Sequence, residues 1–196
     1  MILFLSYYTA NGQTLVGFEE YYYSSGSGSS ALVSKANYQD SRNWYGEVRY
    51  NYEDVQTFSL YAGKTFSRED SLSYSFTPLA GIVVGKFRGV SIGMNVALER
   101  RDFYFSSVLQ YTMSVENKKG NFLFSWSELG YQATRHFYVG LTLQQTCLYQ
   151  TACRWEPGLQ VSLSFKKWIF PVYAFNPTDN KRYFVMGVTR EWEHHK

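Results

Sequence analysis

The chain contains no run of 18 or more apolar residues, so no segment of it is suited to cross a membrane as a helix. It is also poor in the residues that build other kinds of site. Of 196 residues only four are proline, two are cysteine and three are histidine. The cysteines, Cys147 and Cys153, lie close together, and two of the histidines, His194 and His195, lie at the extreme end. This is no ligand set for a metal, and neither a metal nor a cofactor is expected. The net charge of +3 is too small to point to nucleic acid. No segment sustains a helical period. The single low-complexity piece, "SSGSGSS" at 24–30, reads as a flexible loop. It lacks the lysine and following helix of a phosphate-cradling loop.

Aromatic residues are abundant: 18 Tyr, 15 Phe and 5 Trp, or 19% of the chain. A soluble domain of this size has no core able to hide so many rings. A membrane barrel accommodates them in its lipid-facing band and in the girdles at both interfaces, where an apolar ring with a polar edge is suited. The mean hydropathy of −0.31 does not oppose this, because half of each barrel strand faces a polar lumen.

The repeating feature is a two-residue period. In "VSIGMNVALE", 90–99, Val90, Ile92, Met94, Val96 and Leu98 alternate with Ser91, Gly93, Asn95, Ala97 and Glu99. "GLQVSLSFK" at 158–166, "NWYGEVRYNYE" at 43–53 and "HFYVGLTLQ" at 136–144 behave alike. Successive side chains of a strand point to opposite sides, so each segment has one apolar and one polar face. The pattern predicts strands over 14–24, 31–39, 43–53, 56–68, 72–86, 89–99, 102–115, 120–133, 136–148, 155–166, 168–176 and 182–192. Most are near ten residues or longer, the length that spans a bilayer when tilted and well above that of ordinary strands. If both ends face the periplasm, four of six outward connections exceed every inward turn. The connections at 54–55 and 87–88 are the exceptions. The expected fold is all-β, an antiparallel up-and-down transmembrane barrel of about 12 strands, or 10 if 14–39 is not part of the wall.

The ends need separate treatment. "MILFLSYYTANGQT" has an apolar run, Met1 to Leu5, followed by small polar residues from Thr9 to Gly12. It reads as the remnant of a signal peptide over 1–12, the alternative being a first strand or a loose terminus. The barrel then occupies 13–192, and 193–196 forms a short polar tail.

The last strand, "RYFVMGVTREW", ends on an aromatic residue with Phe184, Met186 and Val188 at alternating positions before Trp192. With the long amphipathic strands, this resembles bacterial outer-membrane β-barrel proteins, of a small uncharacterised type. The resemblance covers 14–192 through pattern rather than motif. It implies a place in the outer membrane of a Gram-negative cell, contact with outer-membrane lipid, and a final strand read by the barrel-assembly machinery through Phe184, Met186, Val188 and Trp192. Arg190 and the residues after Trp192 depart from that pattern.

Candidate lumen-lining residues are Glu47, Arg49, Glu53, Glu99, Gln110, Glu128 and Lys166. A charge inside a narrow barrel must be paired or wet, so these residues form either an interlocked plug or a charge-selective polar channel for small solutes. Glu128 shares a face with Phe122, Phe124 and Trp126 and is placed inside, since a carboxylate on the lipid face is unfavourable. Lys64 shares a face with Phe58, Leu60 and Phe66 and is expected to snorkel. Cys147 and Cys153 are expected to pair across an outward loop. His136 is the only histidine inside the expected strands, at the start of 136–148. A catalytic set would need it beside a serine such as Ser127 or Ser164. No motif marks such a set, so no catalytic residue is assigned and no enzyme is expected. The expected function is a structural or interaction barrel, or a narrow passive pore. The alternatives are a lipid-modifying outer-membrane enzyme and a secreted β-sandwich that binds carbohydrate through tyrosines such as those of "EEYYYSS". That cluster is otherwise assigned to the girdle.

Overall fold

The structure is a computed structural model that describes residues 14–25 and 30–194. The signal-peptide remnant proposed over 1–12 and most of the loop at 24–30 lie outside the described residues. The strand segments are β1 (Thr14–Ser25), β2 (Ser30–Gln39), β3 (Trp44–Tyr50), β4 (Thr57–Lys64), β5 (Phe66–Arg68), β6 (Ser73–Gly85), β7 (Gly89–Arg100), β8 (Phe103–Ser114), β9 (Phe122–Thr134), β10 (Phe137–Leu148), β11 (Arg154–Phe165), β12 (Trp168–Phe175) and β13 (Tyr183–His194). Segments β4 and β5 are one wall strand interrupted at Thr65, and both pair with β6. Each segment is antiparallel to its neighbours, and β1 closes on β13 from Thr14↔His194 to Ser25↔Tyr183. The result is a closed barrel of 12 strands, in which the short β5 pairs on one side only, with β6.

Two boundaries differ from those read in the sequence. β3 stops at Tyr50 although its alternation continues. Asn51 turns the chain with φ 58°, a conformation that asparagine tolerates, and Gln56 follows with φ 54°. The Asn51 side chain holds this loop by accepting from the Gln56 N–H at 2.7 Å and donating to the Leu32 carbonyl at 2.9 Å. The outward connection is therefore 51–56 rather than 54–55, which removes one exception to the loop asymmetry. At the other end β13 continues to His194, opposite Thr14, so two residues assigned to a tail belong to the wall.

The short turns, such as 101–102, 135–136 and 166–167, lie at one end together with Thr14 and His194. That is the periplasmic end by the usual asymmetry. The opposite end carries 115–121, with a 3-10 turn at Lys118–Gly120, and 149–153, where Cys147 and Cys153 are joined. Phe58, Leu60, Ile82, Val84, Ile92, Leu141, Leu159, Leu163, Phe184 and Met186 cover the outside and are exposed. In water this would be an untenable apolar surface; in a bilayer it is the lipid-facing belt. Aromatic pairs mark its borders, including Phe103–Tyr131 at 5.0 Å and Tyr50–Phe58 at 4.5 Å. Lys64 points outward at the periplasmic border, its Nζ 5.3 Å from the Trp44 ring centroid.

Candidate functional site

The polar faces converge on the barrel axis. Alternation along β3 sends Val48 out and Glu47 and Arg49 in, where both are buried. Arg49 Nε donates to Glu47 at 2.8 Å, and a second donor of the same guanidinium reaches the same oxygen. Its Nη1 reaches Glu53 at 3.4 Å and also bonds Gln110 Oε1. The guanidinium carbon lies 4.3 Å from the ring centroid of Tyr52 and 4.3 Å from that of Tyr61. Arg49 is thus held by charge, by hydrogen bonds and by two ring faces. Gln110 belongs to β8, on a distant part of the wall, so this bridge crosses the lumen.

Glu53 occupies the lumen by a different route from the one its alternation predicts. It lies in the 51–56 loop, which folds inward, and its side chain is fully buried. It accepts from Tyr61 Oη at 2.8 Å, from Gln110 Nε2 at 3.2 Å and from Ser59. Nearer the periplasmic end, Tyr45 Oη donates to Glu47 at 2.7 Å, and Lys35 pairs with Glu19 at 2.7 Å.

The opposite wall is aromatic. Trp126 packs edge-on against Tyr173 at 5.1 Å and Phe175 at 5.0 Å. Glu128 sits beneath them, buried, and accepts from Trp126 Nε1 at 2.7 Å and Tyr173 Oη at 3.0 Å. Tyr21, Val33 and Val185 complete the cluster, with Tyr23, Tyr52 and Phe124 packed on it. Tyr52 meets Phe124 at 5.8 Å and so joins the aromatic wall to the Arg49 bridge. The "EEYYYSS" stretch accordingly divides, with Tyr22 exposed on the outer face and Tyr21 and Tyr23 directed into the lumen cluster. Tyr22 alone of the three lies on the outer face that a girdle position requires, because consecutive strand residues alternate sides.

Three lumen tyrosines share one device. Tyr21, Tyr61 and Tyr104 lie directly across the ladder from Gly187, Gly81 and Gly130. Each ring covers its glycine: a Cβ on Gly187 would sit 2.6 Å from the Tyr21 ring, and one on Gly81 2.7 Å from Tyr61 Cγ. A ring laid flat over a cross-strand glycine fills the lumen and shields the bare backbone. No sequence signal identified this, because the partners are far apart along the chain.

The remaining candidates scatter. Glu99 faces inward near the periplasmic end, between Ser73 and Tyr104 in the ladders, away from the Arg49 bridge. Lys166 is a correction: it occupies the β11–β12 turn with φ 57° and is exposed, outside the lumen. The strand ends at Phe165, and the two-residue reversal consumes the position that alternation would have turned inward. His136 is exposed in the β9–β10 turn, with Nδ1 3.0 Å from the Ser164 backbone carbonyl rather than its hydroxyl. Ser127 bonds Ser107 on the outer side. These residues do not assemble a nucleophile and base. Among the described residues no group of histidine, cysteine and acidic side chains has metal-binding proximity.

The bridge separates two cavities. Toward the cell exterior lies an open vestibule of about 360 Å³, lined by Tyr23, Asn51, Tyr52, Glu53, Gln110, Phe122, Phe124, Gln144 and Thr146 among others. Toward the periplasm lies a space of about 30 Å³, bounded by Glu19, Lys35, Asn37, Gln39, Tyr45, Thr65 and Asn95 among others. The second is about the size of one water molecule.

No protein-family model and no curated protein matches the sequence. Solved structures do match. The KdgM porin aligns with a TM-score of 0.63 at 11% identity, over 89% of this chain and 98% of its own. The same porin in complex with disordered oligogalacturonate gives 0.59 at 11% identity, over 91% and 99%. The NanC porin gives 0.55 at 9% identity, over 92% and 99%. The chain shares the barrel fold of these outer-membrane porins. The porin-like barrel, its lipid-facing belt and its bordering aromatic rings place the chain in the outer membrane.

Proposed function

We propose that this porin-like barrel is a narrow passive pore for small uncharged polar solutes, held shut to larger ones by the Arg49 bridge. The observation that carries the reading is the pair of cavities on one axis, separated by side chains rather than by a backbone plug. The vestibule combines ring faces with amide and hydroxyl groups. Among the residues that line it the one charge is Glu53, and no lysine or arginine is present. Arg49 lies below, neutralised by Glu47 and Glu53. One porin of this fold was captured with oligogalacturonate, but the present vestibule offers no cation to such a polyanion. An uncharged solute that stacks on rings and bonds amides suits it better. Outer-membrane lipid surrounds the barrel in this reading, and β13 serves as the strand read by the assembly machinery.

Single-channel recording in planar bilayers tests the pore. The wild-type chain is expected to give small, rare openings, and an Arg49→Ser/Glu53→Gln double variant a larger and steadier conductance. If both remain at the lipid baseline, the pore is refuted and the barrel serves a structural or interaction role.

A further inference from the structure

Arg190 has no role in the lumen. It stands on the outer face of β13, opposite Phe18 of β1 and Trp168 of β12, close to the periplasmic end of the wall. Its guanidinium carbon lies 4.6 Å from the ring centroid of Trp168 and 4.7 Å from that of Trp192. The cation is therefore flanked by two indoles, and both belong to the border where indoles meet headgroups. Its Nε is buried and has no hydrogen-bond partner among the described residues. Among the described residues no acid forms an ion pair with it. Glu191 and Glu193 fall on the alternate, inward positions of the strand, opposite Gly17 and Leu15. Glu20 is on the outer face opposite Val188, where it accepts from Ser34 at 3.1 Å. The turn that leads into Trp168 adds two exposed cations, Lys166 and Lys167.

A positive centre held between two aromatic faces, with unspent donors and more positive charge beside it, is complementary to a phosphodiester. We propose that Arg190, Trp168 and Trp192 form a binding site for the headgroup phosphate of an anionic phospholipid in the inner leaflet of the outer membrane. The guanidinium supplies planar, charge-assisted donors to the phosphate oxygens. The indoles hold the guanidinium by their faces and sit at the depth where acyl chain meets headgroup. The β11–β12 turn adds a local field that favours a net anionic headgroup over a zwitterionic one. The lipid occupies this place because the site opens sideways onto the apolar belt, where a soluble anion has no access without leaving water. The same feature accounts for a basic residue one step from the aromatic end of the last strand: it anchors the closing seam of the barrel, where β13 meets β1, to the headgroup layer.

The test is native mass spectrometry of the refolded full chain in neutral detergent, titrated with phosphatidylglycerol. The first lipid adduct on Arg190→Gln is expected to be about tenfold weaker than on wild type, the loss of roughly one charge-assisted contact. Arg190→Lys should fall between them, since an ammonium keeps the charge and loses the planar fork. Chain-matched phosphatidylcholine should bind the wild type about tenfold more weakly than phosphatidylglycerol, a comparison that needs no variant to fold. Inorganic phosphate at the same concentration should not displace the lipid. Equal phosphatidylglycerol binding by wild type and Arg190→Gln, equal binding of the two lipids, or displacement by inorganic phosphate would each overturn the assignment.

Discussion

Replacement of Arg49 by methionine tests the lumen most directly. The substitution removes one cation and leaves Glu47 and Glu53, both with side chains fully buried, without it. Tyr45 and Tyr61 would still donate to them at 2.7 and 2.8 Å, but a hydroxyl offsets only part of the cost of a buried carboxylate. Breaking a buried ion pair by deleting one partner costs about 3–5 kcal/mol, whereas an exposed pair is worth about 0–1 kcal/mol. The guanidinium also lies against Tyr52 and Tyr61, both at 4.3 Å, and a desolvated contact of this kind adds about 2 kcal/mol. The contributions share one side chain and do not add, so the expected loss is about 3–5 kcal/mol. A Glu47→Gln/Arg49→Met/Glu53→Gln chain should recover most of it, because both halves of the charge pair are gone. The assay is reversible urea unfolding in lipid vesicles followed by tryptophan fluorescence. A loss for Arg49→Met below about 1 kcal/mol would show that water reaches the pair, and the description of a sealed bridge would be wrong.

Other outcomes follow from single contacts. Gly130→Ala places a methyl group in the Tyr104 ring and should cost about 1–3 kcal/mol; in a Tyr104→Ala background the same change should cost far less, and equal costs in both backgrounds would refute the ring-over-glycine coupling. Serine in place of both Cys147 and Cys153 releases the 149–153 loop and should lower stability by about 2 kcal/mol on the chain-entropy model. The barrel should still show heat-modifiable gel mobility, since the β10–β11 ladder from Phe137↔Leu163 to Thr146↔Arg154 includes neither residue; loss of the folded band would contradict this. Trp192→Ala should reduce the folded amount in cell membranes several-fold while unassisted refolding in detergent is unchanged, and parallel losses would assign Trp192 a structural role alone.

Much of the wall was legible in the chain because a barrel repeats one local rule. Alternation separated Val90, Ile92 and Met94 from Ser91, Gly93 and Asn95, and the ladders put these sets on the outside and the inside. Strand length and the lack of helical periodicity led to the membrane-spanning barrel, and twelve strands were countable from turn signals. Alternation misled where the chain leaves the ladder. Tyr52 and Glu53 continue the pattern of β3, yet the left-handed Asn51 ends the strand and folds both back over Arg49. Lys166 fails for a similar reason, since a two-residue turn gives its side chain to water.

The sequence by itself determined that this chain forms long strands with one lipid-facing and one polar face, because side-chain parity along a strand is a local property. Only the tertiary structure decided what the barrel encloses. Whether Glu47, Arg49, Glu53 and Gln110 line water or meet depends on which strands face each other across the lumen, and Arg49 and Gln110 stand 61 residues apart. The same holds for Tyr104 over Gly130 and for Arg190 between Trp168 and Trp192. Register and closure bring those partners together, and neither is written in any one segment.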